Sequence, residues 1–125
     1  MARPFHVVRR PFAADLAVQD ALAQLGKPYV YGGTGPRGFD CAGLTQSAWR
    51  AAGVRLPRTS QGQADAGQAV NAGQLLPGDL VFYYPGRSHV ALYVGSGLII
   101  HAPHTGAFVR LGALHSMPIS TVRRP

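Results

Sequence analysis

The sequence predicts an α+β fold in which helices come first and an antiparallel meander of strands follows. Apolar residues recur at helical spacing in the first half, whereas short β-rich runs between glycine and proline turns fill the chain from residue 80 onward. The 125 residues are 46% hydrophobic and 14% charged, which is typical of an ordered globule. A chain of this length buries about two-thirds of its unfolded surface, so we expect a single domain over residues 13–125.

The first helix is predicted over residues 13–25 and is ended by Gly26. Its predicted apolar face consists of Val18, Leu22 and Leu25. Ahead of it, residues 1–12 contain two prolines and are predicted to form an extended lead-in.

A second helix is predicted from Cys41 to about Ala52. Asp40 is a suitable N-cap residue, and Gly53 ends the helix. Between the two helices, residues 27–33 are predicted to be extended and residues 34–38 to form a loop. A short third helix is predicted to begin at Thr59 or Ser60 and to end near residue 66.

Strands are predicted at residues 80–84, 89–94 and 98–102, with a weaker one at 108–111. If residues 95–97 form a three-residue hairpin loop, residue 93 pairs with 99 and residue 92 with 100. That register places His89 and His101 on the same face, diagonal to each other and roughly 7–8 Å apart at the backbone. A two-residue loop would place the two histidines on opposite faces.

Cys41 is the only cysteine, so it can form neither an internal disulfide nor a multi-thiolate metal site. An inert buried thiol, a redox-sensing thiol and a nucleophile remain as interpretations. Because helix N-termini present unpaired N–H groups and partial positive charge, we expect the position of Cys41 to favour the thiolate. Its backbone N–H is also suited to bind an oxyanion.

The two histidines offer a base for such a nucleophile. His89 would deprotonate Cys41, and His101 would orient the imidazole, since the chain contains no Glu. An ordinary hydrogen-bonded strand histidine and a zinc site are the alternatives for this pair, although no further zinc ligand can be placed. Tyr29 is either a core residue or a phenolic donor to an oxyanion.

Charge excludes several function classes. The net charge of +7 comes from eleven Arg and one Lys, which indicates either a solvated basic surface or affinity for polyanions. No basic run interleaved with aromatic residues is present, so a nucleic-acid surface is not expected. The five Asp include no recognisable pair for a two-carboxylate glycosidase.

No apolar run approaches the roughly 18 residues of a membrane span. Residues 1–5 contain no apolar core of a signal peptide. We therefore expect either an intracellular protein or a mature or excised domain.

Six ordered blocks of sequence resemble the NlpC-type cell-wall cysteine peptidases. They are Pro28-Tyr-Val-Tyr-Gly-Gly33, Phe39-Asp-Cys-Ala-Gly-Leu44, Leu56-Pro-Arg-Thr-Ser-Gln61, Pro77-Gly-Asp-Leu-Val-Phe82, Ser88-His-Val-Ala-Leu-Tyr-Val-Gly95 and Ile100-His-Ala102. The match covers roughly residues 15–103.

This resemblance implies a papain-like fold whose N-terminal helices pack on the sheet meander, with the nucleophile at a helix N-terminus. It implies hydrolysis of peptidoglycan stem peptides, commonly at the bond from D-glutamate to the diamino acid. The implied catalytic residues are Cys41 as nucleophile, His89 as base, His101 as the third polar residue and Tyr29 near the oxyanion. The implied substrate-binding residues are Asp40, Ala42, Arg58, Thr59, Ser60 and Ser88.

The resemblance implies no metal or organic cofactor and an extracytoplasmic location, often as part of a larger secreted protein. We expect a monomer. The usual Asp-Cys-Ser-Gly of this family reads Asp-Cys-Ala-Gly here, so Ala42 bears on substrate preference. A wall-binding module without turnover, and an amidase or acyltransferase on the same fold, remain alternatives.

Overall fold

The computed structural model describes the backbone of residues 4–125 and the side chains from residue 12 onward. Three α-helices and a six-stranded antiparallel sheet make up the fold, which confirms the predicted α+β class. The helices are α1 (Pro4–Leu22), α2 (Cys41–Ala51) and α3 (Ser60–Gln63), and a 3₁₀ turn covers Ala72–Gln74. The strands are β1 (Gln68–Ala69), β2 (Leu80–Tyr83), β3 (His89–Gly95), β4 (Leu98–His101), β5 (Arg110–Ala113) and β6 (Ile119–Arg124).

The sheet has the order β1-β6-β2-β3-β4-β5, so β2, β3 and β4 form a consecutive meander. β6 returns to pair with β2 on the other side of that meander. The sequence analysis did not predict β6. The available signal was the run of β-branched residues Ile119, Thr121 and Val122, of which Val122 is buried in the core.

Each face of the sheet covers its own apolar cluster. On one face, Val90, Leu92 and Ile100 pack with Leu44 and Trp49 of α2, among others. The other face carries a smaller cluster that consists of Val81, Tyr83, Ala91, Ile99 and Leu114, with Leu75, Tyr93, Met117 and Ile119 packed against it. The helices therefore cover one side of the sheet only.

The first helix differs from its prediction at both ends. It begins at Pro4, so the predicted extended lead-in is helical over residues 4–12, while residues 1–3 lie outside the described residues. Pro4 is the first helical residue, where a backbone N–H would have no partner within the helix in any case. Pro11 removes one internal hydrogen bond, but the helix continues past it.

The predicted buried face of α1 is confirmed only at Val18, which is partly buried against the cluster shared with α2. Leu22 and Leu25 are exposed, whereas Ala17 and Ala21 are fully buried in the cluster shared with α2. Two alanines four residues apart form a flat strip on one helix face, which lets a second helix approach closely. Side-chain size at the contact, rather than hydrophobicity alone, therefore selects the face that α1 buries.

The hairpin between β3 and β4 keeps the predicted register by a different route. The pairs Leu92–Ile100 and Tyr93–Ile99 form as predicted, but the turn itself contains only two residues, Ser96 and Gly97, both with positive φ. A bulge between Tyr93 and Gly95 restores the alternation that a two-residue turn would have reversed. As a result, His89 and His101 remain on the same face.

Candidate active site

The candidate nucleophile lies at the first residue of α2, as predicted. Asp40 is the N-cap, and its Oδ1 accepts a hydrogen bond of 2.7 Å from the backbone N–H of Gly43. A Cβ on Gly43 would overlap the carbonyl oxygen of Gly33. Only glycine therefore allows the loop of residues 32–33 to lie against the start of the helix, next to Cys41.

Cys41 is half-buried, and its Sγ lies 4.0 Å from the carbonyl oxygen of Ser88, directly ahead of β3. Burial raises the pKa of the Cys41 thiol, and the charge of Asp40 adds to this rise. Hydrogen bonding from the backbone of Val90 and from the first residues of α2 acts in the opposite direction but is outweighed. The expectation of a thiolate at rest is therefore wrong, because desolvation exceeds the effect of the helix N-terminus.

His89 and His101 form a direct hydrogen bond of 2.8 Å between Nε2 and Nδ1. Both side chains are buried, and their ring centroids are 5.0 Å apart. The pKa of His89 is lowered to about 4, first by burial and then by the neighbouring His101 and His104. The pKa of His101 is also lowered to about 4, first by burial and then by Arg110 and His104. At neutral pH the two rings are therefore uncharged, with one proton shared along the bond.

Tyr29 lies close enough to this centre to sense its charges. Burial raises the pKa of the Tyr29 phenol, and the neighbouring Cys41 and Asp40 raise it further. The phenol therefore stays protonated and can donate a hydrogen bond. Its position is fixed through the backbone, where its N–H donates to Ala107 at 2.9 Å and the residue bridges to Phe39.

An open cleft of about 340 Å³ exposes the start of α2. Its lining consists of Tyr31, Gly32, Asp40, Cys41, Ala42, Arg58, Thr59 and Ser60. Five of the six residues implied as substrate-binding lie in this lining. The sixth, Ser88, lies outside it and meets the cleft only through the contact of its carbonyl oxygen with the sulfur.

Tyr31 was missed by the sequence analysis. Its side chain is 90% exposed although it lines the cleft, so it projects from the wall rather than packing beneath it. The available signal was an aromatic residue placed directly before Gly32, whose positive φ of 72° turns the chain.

The wall of residues 58–60 is attached to α2 by a buried glutamine. The Nε2 of Gln63 donates to the carbonyl oxygens of Ala42 at 3.0 Å and Pro57 at 2.9 Å, and its Oε1 accepts from Thr45 at 2.6 Å. On the other side, the Ser60 hydroxyl donates to the carbonyl oxygen of Arg87 at 2.7 Å. These bonds connect the cleft wall to both the nucleophile helix and the loop that precedes His89.

A larger cavity of about 710 Å³ lies away from Cys41, between α1, the end of α2 and the turn at residues 76–79. Its lining contains no cysteine or histidine. Among the side chains that the structure describes, those of residues 12–125, no group of three or more His, Cys, Asp or Glu is arranged to hold a metal ion. None of the described helices is long and apolar enough to span a membrane.

The sequence profile of the NlpC/P60 family matches residues 26–122, which is most of the chain. The chain belongs to the NlpC/P60 family. A protein of Mycobacterium tuberculosis named a probable endopeptidase is 44% identical over 108 residues, which cover 86% of this chain. That alignment spans only 28% of the longer relative, so this NlpC/P60 domain corresponds to a small part of it.

Solved NlpC/P60 structures are similar in fold. The peptidoglycan hydrolase RipB of Mycobacterium tuberculosis superposes on this chain with a TM-score of 0.85 at 30% sequence identity. The superposition covers 99% of this chain and 72% of the RipB chain. RipA, named as a resuscitation promoting factor interacting protein, gives a TM-score of 0.84 at 30% identity over 90% of this chain and 62% of its own. This likeness confirms the papain-like α+β architecture expected from the sequence.

Three of the RipA structures are of proteins mutated at a single cysteine, histidine or glutamate. In RipA the histidine and the glutamate are 12 residues apart, as are His89 and His101 in this chain. The cysteine-to-histidine spacing differs by one residue from that between Cys41 and His89. The sequence spacing of the candidate residues is therefore close to that of the three altered residues of RipA.

Proposed function

We propose that this protein is a cysteine peptidase that hydrolyses peptide bonds in peptidoglycan stem peptides, at the bond from D-glutamate to the diamino acid. Two contacts carry the proposal. The Cys41 sulfur contacts the carbonyl oxygen of Ser88, the residue before His89. The ring of His89 is in turn hydrogen-bonded to His101. Membership in the NlpC/P60 family and the peptidoglycan hydrolase RipB as a structural neighbour support the substrate class.

In the proposed mechanism, His89 removes the proton of Cys41 as the sulfur attacks the scissile carbonyl carbon. Because the His89 Nε2 already bonds His101, only its Nδ1 is free to accept that proton. The competent tautomer therefore carries its proton on Nε2 and donates it to Nδ1 of His101. His101 fixes the ring and stabilises the imidazolium that forms, as an orienting residue does in other triads.

The resting pair in this proposal is a thiol and a neutral imidazole. The raised pKa of Cys41 and the lowered pKa of His89 both disfavour an ion pair before substrate binds. Proton transfer would therefore accompany attack. The N–H groups at the start of α2 and the Tyr29 phenol are the proposed donors to the oxyanion. The imidazolium then protonates the leaving amine, and water hydrolyses the thioester.

In this proposal residues 13–125 form one catalytic domain that acts outside the cytoplasm as a monomer, as part of a longer secreted protein. Substrate peptides would bind along the cleft through Asp40, Ala42, Arg58, Thr59, Ser60 and Ser88. The main chain of a substrate placed there would lie beside the sulfur.

Digestion of purified peptidoglycan, followed by mass spectrometry of the products, tests this function. We expect the wild-type protein to cut within the stem peptide and the Cys41→Ala variant to release nothing while keeping the wild-type circular dichroism spectrum. Release of whole stems from the glycan would instead show an amidase, and wall binding without any product would show a binding module. Unchanged turnover by Cys41→Ala would refute a cysteine mechanism.

A further inference from the structure

The histidine pair is bordered on its far side by an arginine of the edge strand. In the β4–β5 ladder His101 pairs directly with Arg110, so the two side chains lie next to each other on one face of the sheet. β5 is the last strand of the sheet, and Arg110 is exposed there. The lining of the cleft beside Cys41 contains no residue beyond Ser60. Arg110 therefore lies beside the orienting histidine but outside the cleft.

The guanidinium of Arg110 has no partner among the side chains of residues 12–125. The ion pairs between those side chains use Arg58, Arg87 and Arg124, each with an Asp. No Asp or Glu follows Asp79 in the sequence, so the strands around Arg110 supply no carboxylate. All five N–H donors of this guanidinium are therefore available to a ligand.

His101 presents a further donor beside Arg110. Because its Nδ1 accepts the bond from His89 in the proposed mechanism, its own proton is on Nε2. That nitrogen has no hydrogen-bond partner in the described structure, although the residue is only 5% exposed. It lies 3.3 Å from the point where a Cβ on Gly112 would stand, so a side chain at that position would cover it. Within residues 12–125, Asp20 Oδ2 is the only fully buried side-chain polar atom without a partner, so solvent reaches His101 Nε2.

The charge of Arg110 opposes the proton transfer proposed above. His89 has to become an imidazolium, and a neighbouring cation disfavours a positive charge on the histidine pair. Burial is the main cause of the lowered pKa of His101, and Arg110 is the next. RipA has a glutamate at the spacing of His101, whereas this chain has a neutral ring there. An anion bound to Arg110 would remove the adverse charge.

We infer that Arg110 and the Nε2–H of His101 bind the C-terminal carboxylate of a two-residue leaving peptide. The inference rests on the proposed function, in which His89 protonates the leaving amine. The ring centroids of His89 and His101 are 5.0 Å apart. The far side of His101 is therefore about 7 Å from that amine, which is the span of two extended residues. A guanidinium matches a carboxylate in geometry and charge, and the carboxylate forms hydrogen bonds only.

The competing explanation is that Arg110 is a solvated cation that protects the open edge of the sheet. Charged side chains on edge strands discourage pairing with other chains. That role would affect the cleavage of all peptides alike, whereas carboxylate binding affects only peptides that leave with a carboxylate. The ratio of kcat/KM for a carboxylate peptide to that for the matching carboxamide peptide separates the two roles.

The experiment uses two synthetic peptides, L-alanyl-γ-D-glutamyl–diamino acid–D-alanine with either a C-terminal carboxylate or a C-terminal carboxamide. Four proteins are compared: the wild type, Arg110→Gln, Arg110→Lys and Arg50→Gln. Arg50 is an exposed residue in the last turn of α2, at the opposite end of that helix from Cys41. Arg50→Gln therefore controls for the loss of one positive charge far from the site.

We expect the wild type and Arg50→Gln to prefer the carboxylate peptide about tenfold, as for a hydrogen bond between charged groups. In Arg110→Gln the ratio should fall to about 1, because only cleavage of the carboxylate peptide slows, and Arg110→Lys should be intermediate. Equal cleavage of both peptides by the wild type, as a free anion from solution would give, would overturn the inference. An equal loss for both peptides in Arg110→Gln would overturn it as well. Either result leaves the proposed function intact.

Cleavage of neither peptide by the wild type would count against the proposed function itself. Calorimetric binding of the same peptides to Cys41→Ala tests the inference without turnover. The carboxylate peptide should bind about tenfold more tightly than the carboxamide peptide, as in the kinetic ratio. This difference should disappear in Cys41→Ala/Arg110→Gln. Equal affinities in Cys41→Ala would refute a carboxylate site at Arg110.

Discussion

Acidification provides a physical test of the buried histidine pair. The pKa of His89 is about 4 in the folded protein, below the ordinary value of 6.5. Between these two values the unfolded chain binds a proton that the folded protein does not. Stability is therefore fully present above pH 6.5 and is lost as the pH falls toward 4. His101 has the same shift and acts in the same direction.

The size of the effect follows from the shift. One unit of pKa corresponds to about 1.4 kcal/mol, and at pH 4.5 most of the interval between the two pKa values has been crossed. His89 alone should therefore lower the free energy of unfolding by about 2.5 kcal/mol between pH 7 and pH 4.5. This is a large share of the roughly 5–15 kcal/mol typical of a domain.

Urea unfolding at a series of pH values, followed by tryptophan fluorescence of Trp49, measures this loss. A His89→Gln/His101→Gln double variant removes both titrating rings and retains polar side chains that can hydrogen-bond. We expect the double variant to lose most of the pH dependence over this interval. An equally steep dependence in the variant, or none in the wild type, would show that the pair is not held neutral by burial.

Two further predictions concern the start of α2. Because burial raises the pKa of Cys41, alkylation of its thiol by iodoacetamide in the free protein should be slow at pH 7. The alkylation rate should still be increasing at pH 9. A rate that levels off below pH 7 would instead indicate a thiolate–imidazolium pair. Gly43→Ala should lower the free energy of unfolding by about 1–3 kcal/mol, because its Cβ would overlap the Gly33 carbonyl oxygen. Gly86→Ala, at a position with open space around it, is the matched control in the same thermal or urea titration, and equal effects at both positions would contradict the close approach.

The sequence predicted α2 and its cap closely because the signals there are local. Asp40 at the N-cap and Gly53 after the end each act within one helical turn, and the structure confirms both boundaries to within a residue. Five of the six residues implied as substrate-binding line the cleft at the same helix start, although three of them come from residues 58–60. Their roles in catalysis stay predictions until the variants are measured.

What the sequence did not predict depends on contacts between distant segments. The buried face of α1 is determined by its packing on α2, and the place of β6 in the sheet by its pairing with β2. The resting state of Cys41 was also predicted wrongly. Its pKa depends on how much water the folded chain removes from around the sulfur, which the position in a helix does not reveal.

In the hairpin between β3 and β4 the strand register was predicted correctly, although the length of the turn was not. The alternation of apolar residues on β3 and β4 requires both histidines on one face, and it predicted this register correctly. The bulge near Gly95 that achieves it has only a weak signal in the sequence, a glycine close to the turn.

The buried Gln63 has a consequence for how the protein meets its ligands. Its three hydrogen bonds attach the short α3 segment to the nucleophile helix, and Ser60 attaches that segment to the strand loop opposite. A recognition surface braced in this way is preorganised, so little ordering entropy is lost when a ligand docks. Crystal structures with and without a bound peptide should accordingly superpose at residues 57–63 almost without displacement.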